Sequence, residues 1–205
     1  MLCRTALTAL AASQGVAATV HSWPPSVRVR PRMMSAIAEM GCTAGADDER
    51  FMREALVQAE MAFARREVPV GAVIVRNGSV IAAAHNRVEE LRDASAHAEL
   101  LCAREAAASG SSWRLEAATL YCTTEPCPMC LAALHAFRIE RLVYGTTNPR
   151  LGAVESALRP PANPYHTLKV TGGVLAEPAA KLMRDFFVAR REGLHSPGAA
   201  ADNSK

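Results

Sequence analysis

Apolar residues recur at helical spacing near residue 50. Met52, Ala55, Leu56, Ala59 and Phe63 share one face, which predicts an amphipathic helix over 49–66, opened by the acids Asp47-Asp48-Glu49 and closed by Pro69. The pattern then changes to β-branched runs at 70–75 and 80–84, joined through Asn77-Gly78, the strongest short hairpin signal. A second helix is expected from Ser95, read as its cap, through His97, Glu99, Leu100 and Leu101 to Ala108. A buried strand follows at 119–123. A third helix holds Pro126 in its first turn and continues through Leu131, Leu134, His135 and Phe137. Further strands are expected at 142–144 and 169–171, and a last helix at 179–191. Strands alternating with helices around one sheet give a three-layer α/β domain.

The 205 residues, half of them hydrophobic, suffice for one domain with one core. No run is long enough for a transmembrane helix, so no membrane partner is expected. Net charge is +3, and residues 1–46 account for it: Arg4, Arg28, Arg30 and Arg32 stand against Glu39 alone. That leaves 19 bases and 19 acids over the rest, a neutral body that excludes nucleic-acid binding by bulk charge. The 1–46 stretch is rich in Ala, Ser, Thr and Arg and carries Pro24-Pro25 and Pro31, a composition that reads as an organelle transit peptide or a disordered extension. A secretory signal fits less well, because Gln14-Gly15 interrupts the uncharged run at 7–20. The expected organisation is therefore an extension at 1–46, a folded domain at 47–193 and a disordered tail at 194–205.

The chemistry concentrates in a split cluster, His97-Ala98-Glu99 and Pro126-Cys127-Pro128-Met129-Cys130. One imidazole and two thiols form the N/S set that zinc prefers, with the two cysteines three residues apart. Taken alone, C-x-x-C could be a redox pair and a lone His a core residue. Joined in this order, with Glu99 and Pro126 in place, they match the signature of zinc-dependent nucleobase deaminases. Three ligands, His97, Cys127 and Cys130, hold one Zn2+ and leave a position open, as catalytic sites do. Glu99 is the expected catalytic proton carrier. Cys102 and Cys122 lie in apolar surroundings and read as buried free thiols, and six cysteines in this length make no disulfide framework.

Across residues 50–192 the chain resembles the bacterial-type tRNA adenosine deaminases. The matching stretches are Arg66-Glu67-Val68-Pro69-Val70-Gly71-Ala72-Val73, His97-Ala98-Glu99, Thr119-Leu120-Tyr121 and Glu125-Pro126-Cys127-Pro128-Met129-Cys130. They continue through Arg138-Ile139, Tyr144-Gly145, Asp185-Phe186-Phe187 and Arg190-Arg191. The segment Pro164-Tyr165-His166 is similar to that of plant chloroplast members. The resemblance implies a three-layer α/β/α cytidine-deaminase-like domain with a central mixed sheet of about five strands. It also implies conversion of the wobble adenosine of a tRNA to inosine, with an arginine tRNA bearing an ACG anticodon as the expected substrate. Free-base deamination of guanine or cytosine is the alternative, since the central motif is shared.

By position, Asn86 is implied as a hydrogen-bonding partner of the flipped base, the Ala98 backbone as a base contact and Val70 as an apolar wall. Asn148 is implied near the ribose, where many bacterial members carry Asp. Phe186, Phe187, Arg190 and Arg191 match the terminal helix that packs on the core and touches the anticodon stem; plain core packing is expected for at least one of the two aromatics. His85 and Val88, flanking Asn86, depart from the bacterial pattern. A homodimer with the third helix at its interface and a plastid location are implied as well, with mitochondrion or cytoplasm as the alternatives.

Overall fold

A computed structural model describes residues 44–193; the readings made of 1–43 and of the 194–205 tail lie outside the described residues. The elements run α1 (Ala44–Ala64), β1 (Gly71–Arg76), β2 (Ser79–His85), α2 (Val88–Leu91), α3 (Ala98–Ser109), β3 (Ala118–Thr124), α4 (Pro128–Ala136), β4 (Arg141–Thr146), β5 (Lys169–Thr171) and α5 (Ala176–Arg191). The strands form one mixed sheet in the order β2-β1-β3-β4-β5, antiparallel from β2 to β3 and parallel from β3 to β5. The expected three layers and five strands are present. No helix among the described residues is long and apolar enough to cross a membrane.

The period-2 alternation of the strands sorts the core into two halves. Ala72, Ile74, Leu120, Cys122, Leu142 and Tyr144 pack with Ala98, Cys102, Ala103 and Ala106 of α3 and Leu134 of α4. The intervening Val73, Val75, Tyr121 and Val143 pack with Phe51, Met52 and Ala55 of α1. α5 lies beside α1, with Phe186 edge-on to Phe63 at 5.8 Å between ring centroids. At Gly71 the α1 backbone comes so close that a β-carbon would collide with Ala55 and Ala59. Only glycine permits that approach.

Asp48, 6% exposed, anchors the start of α1 to the sheet. Both its oxygens accept from Arg141, each at 2.7 Å, and Oδ1 also accepts from the Tyr121 hydroxyl at 3.0 Å. Burial alone would raise the Asp48 carboxyl, but the Arg141 and Tyr121 hydrogen bonds prevail and hold it below its ordinary value.

The expected elements are all found, with shifted ends. α1 begins at Ala44, ahead of Asp47, and stops at Ala64, well before Pro69. Arg66 adopts φ +64°, Arg66 N–H donates to Phe63 O and Glu67 N–H to Ala62 O, a Schellman closure built without glycine. Arg138 ends α4 in the same way. Ser95 is not the cap of α3: its N–H and hydroxyl both donate to Asp93 Oδ1, which folds it into a turn, and His97 takes the cap position. Likewise Pro126 lies before α4, which Cys127 caps and Pro128 opens. The hairpin is as expected, with Asn77 and Gly78 both at positive φ in the primed turn that a two-residue connection favours.

Candidate metal centre

β3 and β4 run parallel, so the segments that follow them leave the sheet at the same end, where open α/β sheets bind ligands. After β3 come Glu125, Pro126 and Cys127. His97 arrives from the other side of the sheet's centre, at the N-terminus of α3. His97 and Cys127 are both helix caps in extended backbone, and Cys130 lies in the first turn of α4. The partial positive charge at these two helix N-termini favours negative charge, hence thiolate over thiol.

His97 Nδ1 stands 3.5 Å from Cys130 Sγ and 3.7 Å from Cys127 Sγ. The three ligand atoms all lie within 4.8 Å of one another. A tetrahedral zinc with its usual bond lengths would separate N and S ligands by about 3.6 Å. The donors fit the ion in kind and in spacing, with Nδ1 as the ring nitrogen turned inward. Protons compete for the same point. Hydrogen bonds from Cys130, and then from His97, outweigh burial and bring the Cys127 thiol down to about 4. Cys130 is pushed up, first by its hydrogen bond to Cys127 and then by burial. His97 is raised, chiefly by Cys127. A divalent cation displaces those protons and neutralises the thiolates.

Glu99 belongs to no metal cluster found among the described residues, yet it shares the first turn of α3 with Ala98. It is 4% exposed, and burial raises its carboxyl above the usual range, opposed by its own backbone N–H and by His97. Asn86, 6% exposed, accepts the Ala98 N–H at Oδ1 over 2.8 Å, and its own N–H donates to Val70 O at 3.0 Å. Asn86, Val70 and Ala98 are thus drawn together against the metal ligands, with the Ala98 amide already engaged. Asn148 sits after β4, where its Oδ1 accepts from the N–H groups of Arg150 and Leu151 and stabilises its own turn. Phe186 is buried, in keeping with core packing, and Arg190 lies over its ring at 5.9 Å. Phe187 is 43% exposed, and Arg190 and Arg191 are exposed too. All four belong to α5, beside α1, rather than to the α3–α4 layer that bears the ligands.

Glu125 has no role legible in the sequence alone. It is 2% exposed, and its oxygens accept from the N–H groups of Asn148 (3.0 Å), Val154 (3.0 Å), Glu155 (2.7 Å) and Ser156 (3.0 Å) and from the Ser156 hydroxyl. Burial would raise this carboxyl, but the donors, led by the Asn148 amide, bring it down to about 2. The available signal was a lone acid wedged between an uncharged strand and Pro126.

Residues 46–146 match the family model described as the cytidine and deoxycytidylate deaminase zinc-binding region. A tRNA-specific adenosine deaminase of Agrobacterium fabrum is 45% identical over 148 residues, covering 71% of this chain and 97% of that protein. The chain belongs to the tRNA-specific adenosine deaminase family. Within that family, the chloroplastic tRNA(adenine(34)) deaminase of Arabidopsis thaliana is also 45% identical, over 161 residues and 70% of this chain, which spans only 12% of that longer protein. A solved structure from a study of A-to-I editing by tRNA:A34 deaminases at the wobble position superposes with a TM-score of 0.63. It is 45% identical and covers 65% of this chain and 98% of its own. A guanine deaminase from Nitrosomonas europaea shares the fold at a TM-score of 0.60 and 26% identity, covering 68% of this chain and 84% of its own. Like the matched family region, this adenosine deaminase-family chain is a zinc protein with one ion per chain.

Proposed function

We propose that this protein hydrolyses the wobble adenosine of a tRNA to inosine, with His97, Cys127 and Cys130 holding the zinc. The buried Glu99 carboxyl beside that N/S/S cluster carries the reading. Zinc bound there would supply Lewis-acid activation of water, lowering its pKa to about 7. Glu99, its carboxyl raised by burial, takes the proton that water loses as its oxygen adds to C6 of the base. It passes that proton to the ring nitrogen, then takes the remaining proton from the new C6 hydroxyl and gives it to the departing amine, so that water and adenosine become inosine and ammonia. With Asn86 Oδ1 committed to the Ala98 amide, Asn86 Nδ2 is the donor left to orient the base. Val70, 9% exposed, lines the apolar side.

The body is neutral, so recognition rests on a base that is already unpaired in the anticodon loop and therefore cheap to extrude. Phe187, Arg190 and Arg191 of α5 and Asn148 are the proposed contacts to the anticodon stem-loop and its ribose. An arginine tRNA with an ACG anticodon is the proposed substrate, supported by the likeness to the chloroplastic relative. The same likeness supports a plastid location, with residues 1–46 as the transit segment. Fused to a fluorescent reporter, that stretch should enter plastids; a cytosolic signal counts against it. A homodimer burying the exposed face of α4, where Met129 is 38% exposed, completes the reading.

The deciding assay is sequencing of tRNA position 34 after incubation with the zinc-loaded protein. Inosine in arginine tRNA supports the proposal. Turnover of free guanine without inosine in any tRNA supports the second reading, which the fold shared with the guanine deaminase favours.

A further inference from the structure

We propose that Glu125 is a positioning residue: its carboxylate, accepting from five donors, is the template on which 148–156 folds into a wall beside the metal centre, and substrate affinity depends on that wall. The inference rests on the deaminase reading above for its substrate and on geometry for the rest. The segment after β4 and the segment bearing Cys127 leave the sheet at one end, and Ala153 N–H donates to Pro126 O at 2.9 Å, tying them directly. Between them lies Glu125. Three successive amides, Val154, Glu155 and Ser156, converge on Oε1, while the Asn148 amide and the Ser156 hydroxyl take Oε2. Successive N–H groups aimed at one point form an anion-binding nest, here filled from within the chain.

None of these amides serves a helix or a strand, so the carboxylate replaces the secondary structure this segment lacks. Gly152 presses on the same group, closely enough that a β-carbon there would collide with the carboxylate. Tyr144 extends the clamp from β4, its hydroxyl donating to Glu155 Oε2 at 2.7 Å. What the clamp holds out beside the site is an exposed pair, Arg150 and Leu151, the latter 57% exposed. A cation and an apolar side chain, fixed next to a centre that acts on a nucleotide, suit a sugar-phosphate and a base.

Glu125→Gln keeps the volume but turns an NH2 group toward the donors. The variant should keep one zinc per chain and a kcat within about threefold of wild type, while KM for an anticodon stem-loop rises about tenfold or more. Amide hydrogen exchange across 148–156 should accelerate in the same variant. If Glu125→Gln does not fold, Ser156→Ala carries the test, with a smaller KM rise in the same direction. Loss of zinc, a kcat drop at unchanged KM, or unchanged exchange over 148–156 would overturn the proposal. The exchange measurement involves no substrate, so it decides the role of Glu125 even if the wild-type protein makes no inosine.

Discussion

Asn86 has one duty in the fold and a second proposed toward the base, and a pair of substitutions can separate them. Its Oδ1 accepts the Ala98 amide at the start of the helix that carries His97 and Glu99, and its Nδ2 is the donor assigned to the base. Asn86→Ala removes both and leaves a fully buried amide unpaired, because Ala98 is 0% exposed. A stranded buried donor costs about 1–3 kcal/mol. In a chain of this size, 1 kcal/mol moves the melting temperature by about 2–4 °C, so a drop of roughly 3–10 °C is expected. Asn86→Asp keeps the acceptor and puts an anion at a helix N-terminus, where it is favourable, so stability should stay within about 0.5 kcal/mol of wild type. Both variants lack the base donor and should lose about 1–3 kcal/mol of transition-state binding, roughly 5- to 150-fold in kcat/KM. Scanning calorimetry and tRNA deamination kinetics on both variants check this. Equal melting losses would refute the assignment of the stabilising bond to Oδ1, and a fully active Asn86→Asp would refute the donor role.

Glu99→Gln keeps the shape and removes the proposed proton carrier, so turnover should fall by about 10²- to 10⁴-fold with zinc content unchanged by metal analysis. The Asp48 carboxyl is held below its ordinary 3.8 in the folded protein, so its contribution is fully present above that pH and is lost as pH falls through the lower folded value. Acid unfolding followed by circular dichroism should show wild type more stable than Asp48→Asn at pH 7, with the gap closing below about pH 4. Arg190→Ala with Arg191→Ala should weaken anticodon stem-loop binding and flatten its dependence on log salt by up to about 0.7 per lost phosphate contact, with zinc unaffected.

What could be read from the sequence was what chemistry writes locally. His97-x-Glu99 and Cys127-x-x-Cys130 announce themselves because each half lies within one helical turn, and Asn77-Gly78 because positive φ at two successive residues has few solutions. The ends of helices were less legible. α1, α2 and α4 are closed by arginines 66, 92 and 138 at positive φ, where glycine would have been the visible sign. The cap of α3 and the first turn of α4 differ from the sequence expectation because His97 and Cys127 hold the cap positions, and neither is an ordinary capping residue. The four-residue α2 is too short to show any periodicity. Glu125 is illegible in the sequence because its partners come from 148–156, a segment with no pattern of its own.

His97 and Cys127 stand 30 residues apart in the chain, and that span contains all of α3 and the whole of the central strand β3. An ion gripping both ends turns an open stretch of polymer into a ring. By the chain-entropy arithmetic used for disulfides, closing a ring of this size is worth about 3–4 kcal/mol against the unfolded chain. The reagent centre is therefore also a clasp. Chelation should loosen not the rim of the molecule but its middle, since the strand inside the ring is the one on which both neighbouring strands of the sheet depend.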